Sequence, residues 1–538
     1  MTRGLRLATC LVLVVLWLIT RADGSPGRYA GGRDTQKILV NTAEKKKSKA
    51  DAIPQLLEAL DVLNREYFEI WQGIWPTSID WTSAVIGTFL ASSLSTLSSS
   101  FASTTFNKTS ENTINKYFSQ LTSSYFGQDA FAIRQEAYDD MLWVVLGWIE
   151  AVKFVELHTW HHYNGTIWHG QQFVPAFAHR ARVFWELASQ GWDTKYCEGG
   201  MLWSPYLIPY KNAITNELFI AASIQMYLHF PGDDNESPFA KGWDVDGAYL
   251  GGKERDPMYL NAALEGYEWL VESDMRNDAG LYVDGYHISG RFGTQCDARN
   301  EMVYTYNQGV LLTGQRGLYE ATGNKRFLED GHQLISDVIR ATGWDLERDE
   351  TLPEESGKDF PRWRGLGRSG ILEEACDLGA YCSQDSQTFK GIFFHHFTAF
   401  CDSIPKPLIQ QVDNSKVDLN KWHTQQCQRY EGWVTHNTRA ALRTRDGRGR
   451  FGMWWNAPQN PNQIPDLVNV VLPKDAVDYR NKGLPDAWDR DKRVIHKIIT
   501  GSQRDTAMVQ DLNDRGRGRT VETQGGGISM LRAFAELR

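Results

Sequence analysis

The sequence predicts an all-α protein of about twelve helices, and three patterns point to this class. Apolar residues recur at three- and four-residue steps in one segment after another, and the alternating patterns of strands are scarce. A stretch near 260 also recurs near 328 at a constant offset, which indicates repeated helical hairpins. The residues that correspond are Tyr259-Leu260, Ala263 and Leu270 in the first copy and Phe327-Leu328, Gly331 and Val338 in the second.

The first predicted helix begins at Asp51, which can cap it, and its apolar period runs to Tyr67. The other predicted helices cover about 82–97, 111–122, 134–157, 173–190, 211–229, 256–273, 303–321, 325–341, 387–402, 431–442 and 525–537. Twelve helices can stack as an open solenoid or close into a toroid of six inner and six outer helices. Closure would surround a central funnel with loops, which suits a ligand site. The loop-rich stretches 344–370 and 402–522 are predicted to decorate this toroid.

The N-terminal residues have the pattern of a secretory signal peptide. Arg3 and Arg6 precede an apolar run from Leu7 to Ile19, and small or polar residues follow. We therefore predict a signal peptide at 1–24, a flexible leader at 25–50 and a single folded domain at 51–538. No later segment is expected to span a membrane, and charges among the last ten residues argue against a glycolipid anchor. A secreted or cell-wall-associated monomer is expected.

The cysteine content agrees with an oxidising compartment. Once Cys10 leaves with the signal peptide, six cysteines remain, and disulfides are their expected state. Their pairing stays open, although Cys376 and Cys382 are close enough for a local loop. The absence of a C-x-x-C spacing argues against a zinc site. Sequons at Asn107, Asn164 and Asn235 indicate N-glycosylation.

The composition excludes some partners and favours others. A net charge of −9 over 538 residues leaves no basic excess, so nucleic acid is not expected as a partner. Aromatic residues make up 12% of the chain and include 20 Trp. Most of these are expected in the core, but exposed indoles in a secreted protein are also typical platforms for sugar rings.

Two neighbouring carboxylates, Asp139 and Asp140, stand near the beginning of a strongly apolar predicted helix. Glycosidic cleavage needs two carboxyl groups, because one protonates the leaving oxygen while the other attacks the sugar or activates water. Adjacent helical residues diverge by about 100°, so both can face one sugar only from a helix end that opens into a funnel. The alternative is that the two acids only stabilise a helix N-terminus.

Histidines near residue 160 are a second candidate cluster. His158 and His162 have the i, i+4 spacing of a helical metal site. No carboxylate or cysteine completes a recognisable ligand set, so we predict a helix-end histidine cluster, with no metal or cofactor.

Several motifs together resemble glycoside hydrolase family 76, which comprises endo-α-1,6-mannanases and related fungal wall proteins. The likeness spans roughly 130–400, with a matching last helix at 523–538. The motifs are Tyr138-Asp139-Asp140 with Trp143, Glu198-Gly199-Gly200-Met201-Leu202-Trp203, Tyr210-Lys211-Asn212-Ala213-Ile214-Thr215-Asn216-Glu217-Leu218, Asp284-Gly285, Thr305-Tyr306-Asn307-Gln308-Gly309-Val310 and Phe389-Lys390-Gly391-Ile392-Phe393. This chain departs from the family in having Val144 after Trp143, where a second Trp is usual, and His395-His396 where an Arg is common.

The resemblance implies an (α/α)6 toroid that hydrolyses internal α-1,6-mannosidic bonds of mannan with retention. It implies that Asp139 is the nucleophile and Asp140 the general acid/base, with α-mannan or mannan oligosaccharides as the partner and no cofactor. The expected sugar-binding residues are Trp143, Trp203, Asn212, Asn216, Asp284, Tyr306, Asn307 and Gln308. For Asn216, Asn307 and Gln308 the alternative is a buried amide that caps or bridges helices.

Two other functions remain open at this point. The mannosyl intermediate can be transferred to a hydroxyl of a wall polymer instead of water, which would make the protein a transglycosidase. Alternatively, the chain can be a non-catalytic mannan-binding wall protein, although only catalysis requires both acids.

Overall fold

The computed structural model describes residues 52–102, 106–234, 252–289, 293–354, 360–403, 414–458, 470–481 and 511–537. The predicted signal peptide at 1–24, the predicted leader at 25–50 and the sequon at Asn235 lie outside these residues. The sequons at Asn107 and Asn164 lie within them, and both asparagines are exposed.

Helices dominate the described part of the chain. In order they are α1 (52–67), α2 (Asp80–Ala102), α3 (Lys108–Gly127), α4 (Ala130–Ile133), α5 (Tyr138–His162), α6 (Val174–Ser189), α7 (Ala213–His229), α8 (Pro257–Glu272), α9 (Val310–Thr322), α10 (Arg326–Ala341), α11 (Gln384–Cys401), α12 (Asn414–Gln428), α13 (Glu431–Arg443) and α14 (Val521–Glu536).

Each of the predicted helices is present, with shifts of a few residues at the ends. The largest shift is at α9, where a 3-10 turn at Tyr306–Gln308 precedes the helix, which begins at Val310 rather than near 303. Sequence analysis missed α4 and α12. The first is a single turn capped by Asp129, and the second is too polar to show an apolar period.

Six helices form a closed inner ring. Neighbours in this ring are α2, α5, α7, α9, α11 and α14, and α14 packs back against α2. The outer helices α3, α6, α8, α10 and α13 pack on α2, α5, α7, α9 and α14. The remaining outer helix, α1, bonds to both α14 and α3, through Gln524 Nε2 to Ala59 O (2.8 Å) and Tyr117 Oη to Leu57 O (3.3 Å). The predicted (α/α)6 toroid is therefore confirmed, and the open solenoid is excluded.

The inner helices are buried on nearly every side, as their sequences require. In α7, for example, every residue from Ala213 to Met226 is buried. Among the described residues, helix α2 is long and apolar enough to cross a membrane. Sequence analysis did not identify it as a candidate span. Because 72% of that apolar window is buried against other helices, we interpret α2 as a core helix of the ring.

All six inner helices run in the same direction. At one end of the ring, hydrogen bonds join the first turns of α2, α11 and α14, including Trp81 Nε1 to Asp385 (3.0 Å) and Thr82 Oγ1 to Glu522 (2.9 Å). The last turns of the same helices surround a cavity at the opposite end. We call these the N-end and the C-end of the ring.

Short strands and disulfides organise the loops. An antiparallel sheet of β1 (Tyr210–Asn212), β2 (Gly285–His287) and β3 (Ala298–Asn300) leads directly into α7 at the N-end. Two small hairpins follow, made of β4 (Trp344–Asp345) with β5 (Glu350–Thr351) and β6 (Gly367–Arg368) with β7 (Ile371–Leu372).

The six predicted disulfide cysteines are all paired. The bonds join Cys197 to Cys296, Cys376 to Cys382 and Cys401 to Cys427. The local loop expected between Cys376 and Cys382 is confirmed, and the other two pairs could not be chosen from the sequence.

The close contact between α11 and α14 predicts that a side chain added at this contact destabilises the fold. A Cβ added at Gly391 would lie 2.8 Å from Gly526 Cα, whereas a Cβ at Gly87 in α2 would meet no atom within 4 Å. We expect Gly391→Ala to lower the free energy of unfolding by about 1–3 kcal/mol, and Gly87→Ala to raise it by about 0.5–1 kcal/mol. Denaturant titration of both variants measures this, and an unchanged or more stable Gly391→Ala protein would contradict the close packing.

Candidate active site

The acid pair lies in the first turn of α5, at the N-end of the ring. The backbone N–H of Tyr138 donates to Trp203 O (2.9 Å), which ties the start of α5 to the loop before β1. Asp140 Oδ2 accepts from the N–H of Ala137 (3.1 Å) and so caps the helix. The sequence left open that the two acids only stabilise a helix N-terminus, and Asp140 does make one contact of this kind. The N–H groups of Asp139 and Asp140 also act on the Asp139 carboxylate and lower its pKa.

The Asp139 carboxylate is buried, with one oxygen held and the other without a partner. Oδ2 accepts from Trp203 Nε1 (3.2 Å) and lies 4.0 Å from a guanidinium nitrogen of Arg480. Oδ1 has no hydrogen-bond partner among the described residues. Burial raises the pKa of Asp139 to about 6, and the positive charge of Arg480 limits the rise.

The Asp140 carboxyl has the stronger tendency to hold a proton. Burial raises its pKa well above the usual value, and the negative charges of Asp139 and Glu136 raise it further. Glu136 is itself raised to a pKa of about 7, by burial and by a hydrogen bond with Asp80. Near neutral pH this order leaves Asp139 as the carboxylate and Asp140 as the acid.

Arg480 is the central cation of the site. Burial alone would lower the pKa of its guanidinium, but the negative charges around it, among them those of Asp284, Asp139 and Asp385, raise that pKa. The same group lies over the ring of Trp203, 5.2 Å from the centroid. Sequence analysis missed Arg480, because it stands in a stretch predicted to be a decorating loop.

The segment 470–481, which carries Arg480, is attached to the toroid at several points. Asn300 bonds both backbone groups of Val477, accepting from its N–H (2.8 Å) and donating to its C=O (3.0 Å). Tyr304 Oη donates to Asp478 (2.8 Å), and Asn481 Oδ1 accepts from the N–H of Ser383 (2.8 Å). These bonds hold Arg480 over the N-end.

Three of the predicted sugar-binding residues surround Arg480 together with the acid pair. Trp203 contacts both Asp139 and Arg480. Asp284 Oδ2 accepts from Tyr210 Oη and from Asn300 Nδ2 (3.1 Å), while its Oδ1 has no described partner. Tyr306 stacks on Phe389 at 3.8 Å, and its buried hydroxyl also has no described partner.

The other five predicted sugar-binding residues are not grouped around Arg480 in this way. Asn216 bonds the N–H and C=O of Met201, and Gln308 does the same with Tyr282, so both are bridging amides as the alternative stated. Asn212 caps α7. Trp143 is buried and stacks on Trp81 at 5.7 Å. Both amide atoms of Asn307 are buried without a described partner.

Within the described residues, two groups of side chains have the spacing of a metal site, but each includes at least one disulfide cysteine. They are His332, His423 and Cys427, and Cys376, Asp377 and Cys382. A disulfide sulfur cannot act as the thiolate that a metal requires. The predicted histidine cluster ends α5, where His158 contacts Ser98 Oγ (2.9 Å) and burial lowers its pKa to about 3.

The comparisons with known proteins agree with this architecture. Residues 245–455 match the model of glycosyl hydrolase family 76, a range that begins after the acid pair. The mannan endo-1,6-alpha-mannosidase DFG5 of Saccharomyces cerevisiae is 24% identical over 209 residues, which are 38% of this chain and 34% of the relative. DCW1 of Candida glabrata, with the same description, is 22% identical over 43% of this chain and 42% of its own length. The chain thus spans about a third to two fifths of these relatives.

Solved structures share the fold at low identity. An inactive variant of the α-1,6-mannanase of a Salegentibacter species, in complex with an α-1,6-linked mannotetraose, superposes with a TM-score of 0.51 and 16% identity. The match covers 91% of this chain and 99% of the other. Dfg5 of Chaetomium thermophilum, in complex with glucosamine, gives a TM-score of 0.50 at 14% identity over 91% and 90% of the two chains.

The raised pKa of Asp139 predicts that its replacement by the neutral isostere Asn stabilises the folded protein at high pH. Because the folded-state pKa exceeds the usual 3.8, ionisation of Asp139 lowers stability as pH rises from about 4 to 6. We expect Asp139→Asn to raise the free energy of unfolding at pH 8 by up to about 3 kcal/mol and to change it little at pH 3.5. Urea titration at both pH values measures this. The surface variant Glu265→Gln should show no such difference, and an equal effect of Asp139→Asn at both pH values would refute the assignment.

Proposed function

We propose that this chain, a member of glycoside hydrolase family 76, hydrolyses internal α-1,6-mannosidic bonds of mannan with retention. The observation that carries the proposal is the unequal pair of neighbouring acids, one next to Arg480 and one next to other carboxyl groups. The names of DFG5 and DCW1 and the oligosaccharide bound to the bacterial mannanase support this substrate class.

In the proposed first step, Asp139 attacks the anomeric carbon of a mannose unit while Asp140 gives its proton to the leaving glycosidic oxygen. The attacking atom is Oδ1, which is free, while Trp203 holds Oδ2 in place. The C–O bond to the leaving sugar breaks as the C–O bond to Asp139 forms. In the second step Asp140 removes a proton from water, the resulting hydroxide displaces Asp139, and the mannan fragment is released with the original configuration at its anomeric carbon.

Arg480 is proposed to act through Asp139. Its charge counteracts burial and keeps Asp139 ionised, while the carboxylates near Asp140 keep that group protonated. The two acids begin the reaction in different states for this reason.

The proposed ligands for sugar hydroxyls are three polar groups without described partners, namely Asp284 Oδ1, the Tyr306 hydroxyl and the Asn307 amide. Tyr206, Leu207 and Ile208 are exposed in the loop after Trp203 and offer an apolar edge for sugar rings.

Secretion is part of the proposal. Three disulfides within the described residues are expected for a chain that folds in an oxidising compartment. The basic and apolar N-terminal sequence supports export, and a polymer of the cell wall is then the accessible substrate.

The central test is cleavage of linear α-1,6-mannan by the wild type and by Asp139→Asn and Asp140→Asn. We expect the wild type to release oligosaccharides and each variant to lose at least 10³-fold in rate, because each lacks one of the two carboxyl groups. Size-exclusion chromatography of the products measures this. Glu265→Gln serves as the folded control.

Other outcomes of this experiment would contradict the proposal. Longer chains in the wild-type reaction would identify a transglycosidase. Binding of intact polymer without any change in its length would identify a mannan-binding protein. Full activity of the Asp139→Asn variant would exclude Asp139 as the nucleophile.

The proposed role of Arg480 predicts a shifted pH profile. Without the charge of Arg480 the pKa of Asp139 rises. We therefore expect Arg480→Met to move the acidic limb of the kcat/KM profile to higher pH and to lower kcat at least tenfold at pH 5. Arg480→Lys keeps the charge, so its acidic limb should lie closer to that of the wild type than the limb of Arg480→Met does. The exposed Arg448→Met is the matched control. A lower kcat/KM with an unshifted limb would mean that Arg480 only supports the fold.

A further inference from the structure

A large cavity lies at the C-end of the ring, away from the acid pair. Its volume is about 710 Å³, within the range of small-molecule sites. Every inner helix contributes to it, through Ser95, Trp160, Gln225, Arg316, Ala399 and Arg532. Trp160 and Asp139 are both in α5, about 30 Å apart along the helix axis. The cavity is therefore separate from the proposed catalytic funnel.

The charged side chains of the C-end cavity are largely paired with one another. Lys153 Nζ lies 2.7 Å from Glu150, and Arg316 Nε lies 2.6 Å from Glu320. Arg532 and Asp402 form a longer pair at 3.8 Å. Because these charges already compensate each other, the lining does not select for a strongly charged ligand.

Neutral hydrogen-bonding groups complete the lining. Gln225 is only 7% exposed, and its amide has no hydrogen-bond partner among the described residues. Burial lowers the pKa of His229 to about 3, so its imidazole is neutral at physiological pH. An amide and a neutral imidazole can each donate to and accept from hydroxyl groups.

An exposed indole stands at the mouth of the cavity. Trp160 is 72% exposed, and its ring makes an edge-to-face contact with that of His161 at a centroid distance of 4.7 Å. Its indole face is available to an apolar surface such as the C–H face of a sugar.

We propose that the C-end cavity binds one end of an uncharged oligosaccharide and is a second glycan site. Cations that are each paired with a carboxylate, an unpartnered buried amide and an exposed indole together suit a ligand with many hydroxyl groups and no net charge. The choice of a mannose oligomer as the probe rests on the proposed function, whereas the site itself does not depend on catalysis.

The test is calorimetric titration of the Asp140→Asn protein with α-1,6-mannotriose, which this variant should not cleave. We expect two binding sites for each chain. Adding Trp160→Ala or Gln225→Leu should weaken one of them at least tenfold and leave the other unchanged. Trp71→Ala removes an indole that is 81% exposed elsewhere and should leave both sites unchanged.

The results separate this inference from the proposed function. A single site that is insensitive to Trp160→Ala and Gln225→Leu overturns the second glycan site, even when the wild type cleaves mannan. A site lost in both variants supports it, even when the wild type cleaves nothing. Retention of mannan cleavage by the Trp160→Ala variant of the active protein is expected, because the two sites are separate.

Discussion

The guanidinium of Arg480 lies among the carboxylates of Asp139, Asp284 and Asp385, inside a ring of apolar helices. Buried carboxylates without a cation would all take up protons, because burial favours the neutral form. The arginine changes this balance for each of them, and it approaches Asp139 to 4.0 Å. The chemical difference between Asp139 and Asp140 therefore depends on a residue more than 300 positions away in the chain.

The toroid prepares the place for this arrangement. Since the six inner helices run in the same direction, their N-termini converge at the end that holds the acids, and the partial positive charges of those termini favour negative groups there. The opposite end has the C-termini, where the lining contains Lys153, Arg316 and Arg532, each beside a carboxylate. Only the N-end therefore combines helix N-termini with a group of acids around one cation.

Periodicity predicted the helices well, because an inner or outer helix of a toroid needs a continuous apolar face, and this face is visible in the sequence. Closure of the ring was not visible in the pattern and came from the family resemblance. Asp139 and Asp140 stood out because two acids at the start of an apolar helix are unusual. Arg480 could not be predicted, since its position depends on side-chain bonds such as Tyr304 to Asp478. Asn216 and Gln308 have the same composition as sugar ligands, and only their backbone partners distinguish them.

The position of α14 between α11 and α2 has a consequence for folding. Gly525 and Gly526 of this helix contact Phe89 in α2 and Gly391 in α11, so α14 fills the gap between two helices that stand far earlier in the chain. Until this long-range contact forms, the partly folded barrel has an open apolar slot between α2 and α11. Closure of the ring is therefore a late step of folding, because contacts between distant parts of a chain form slowly.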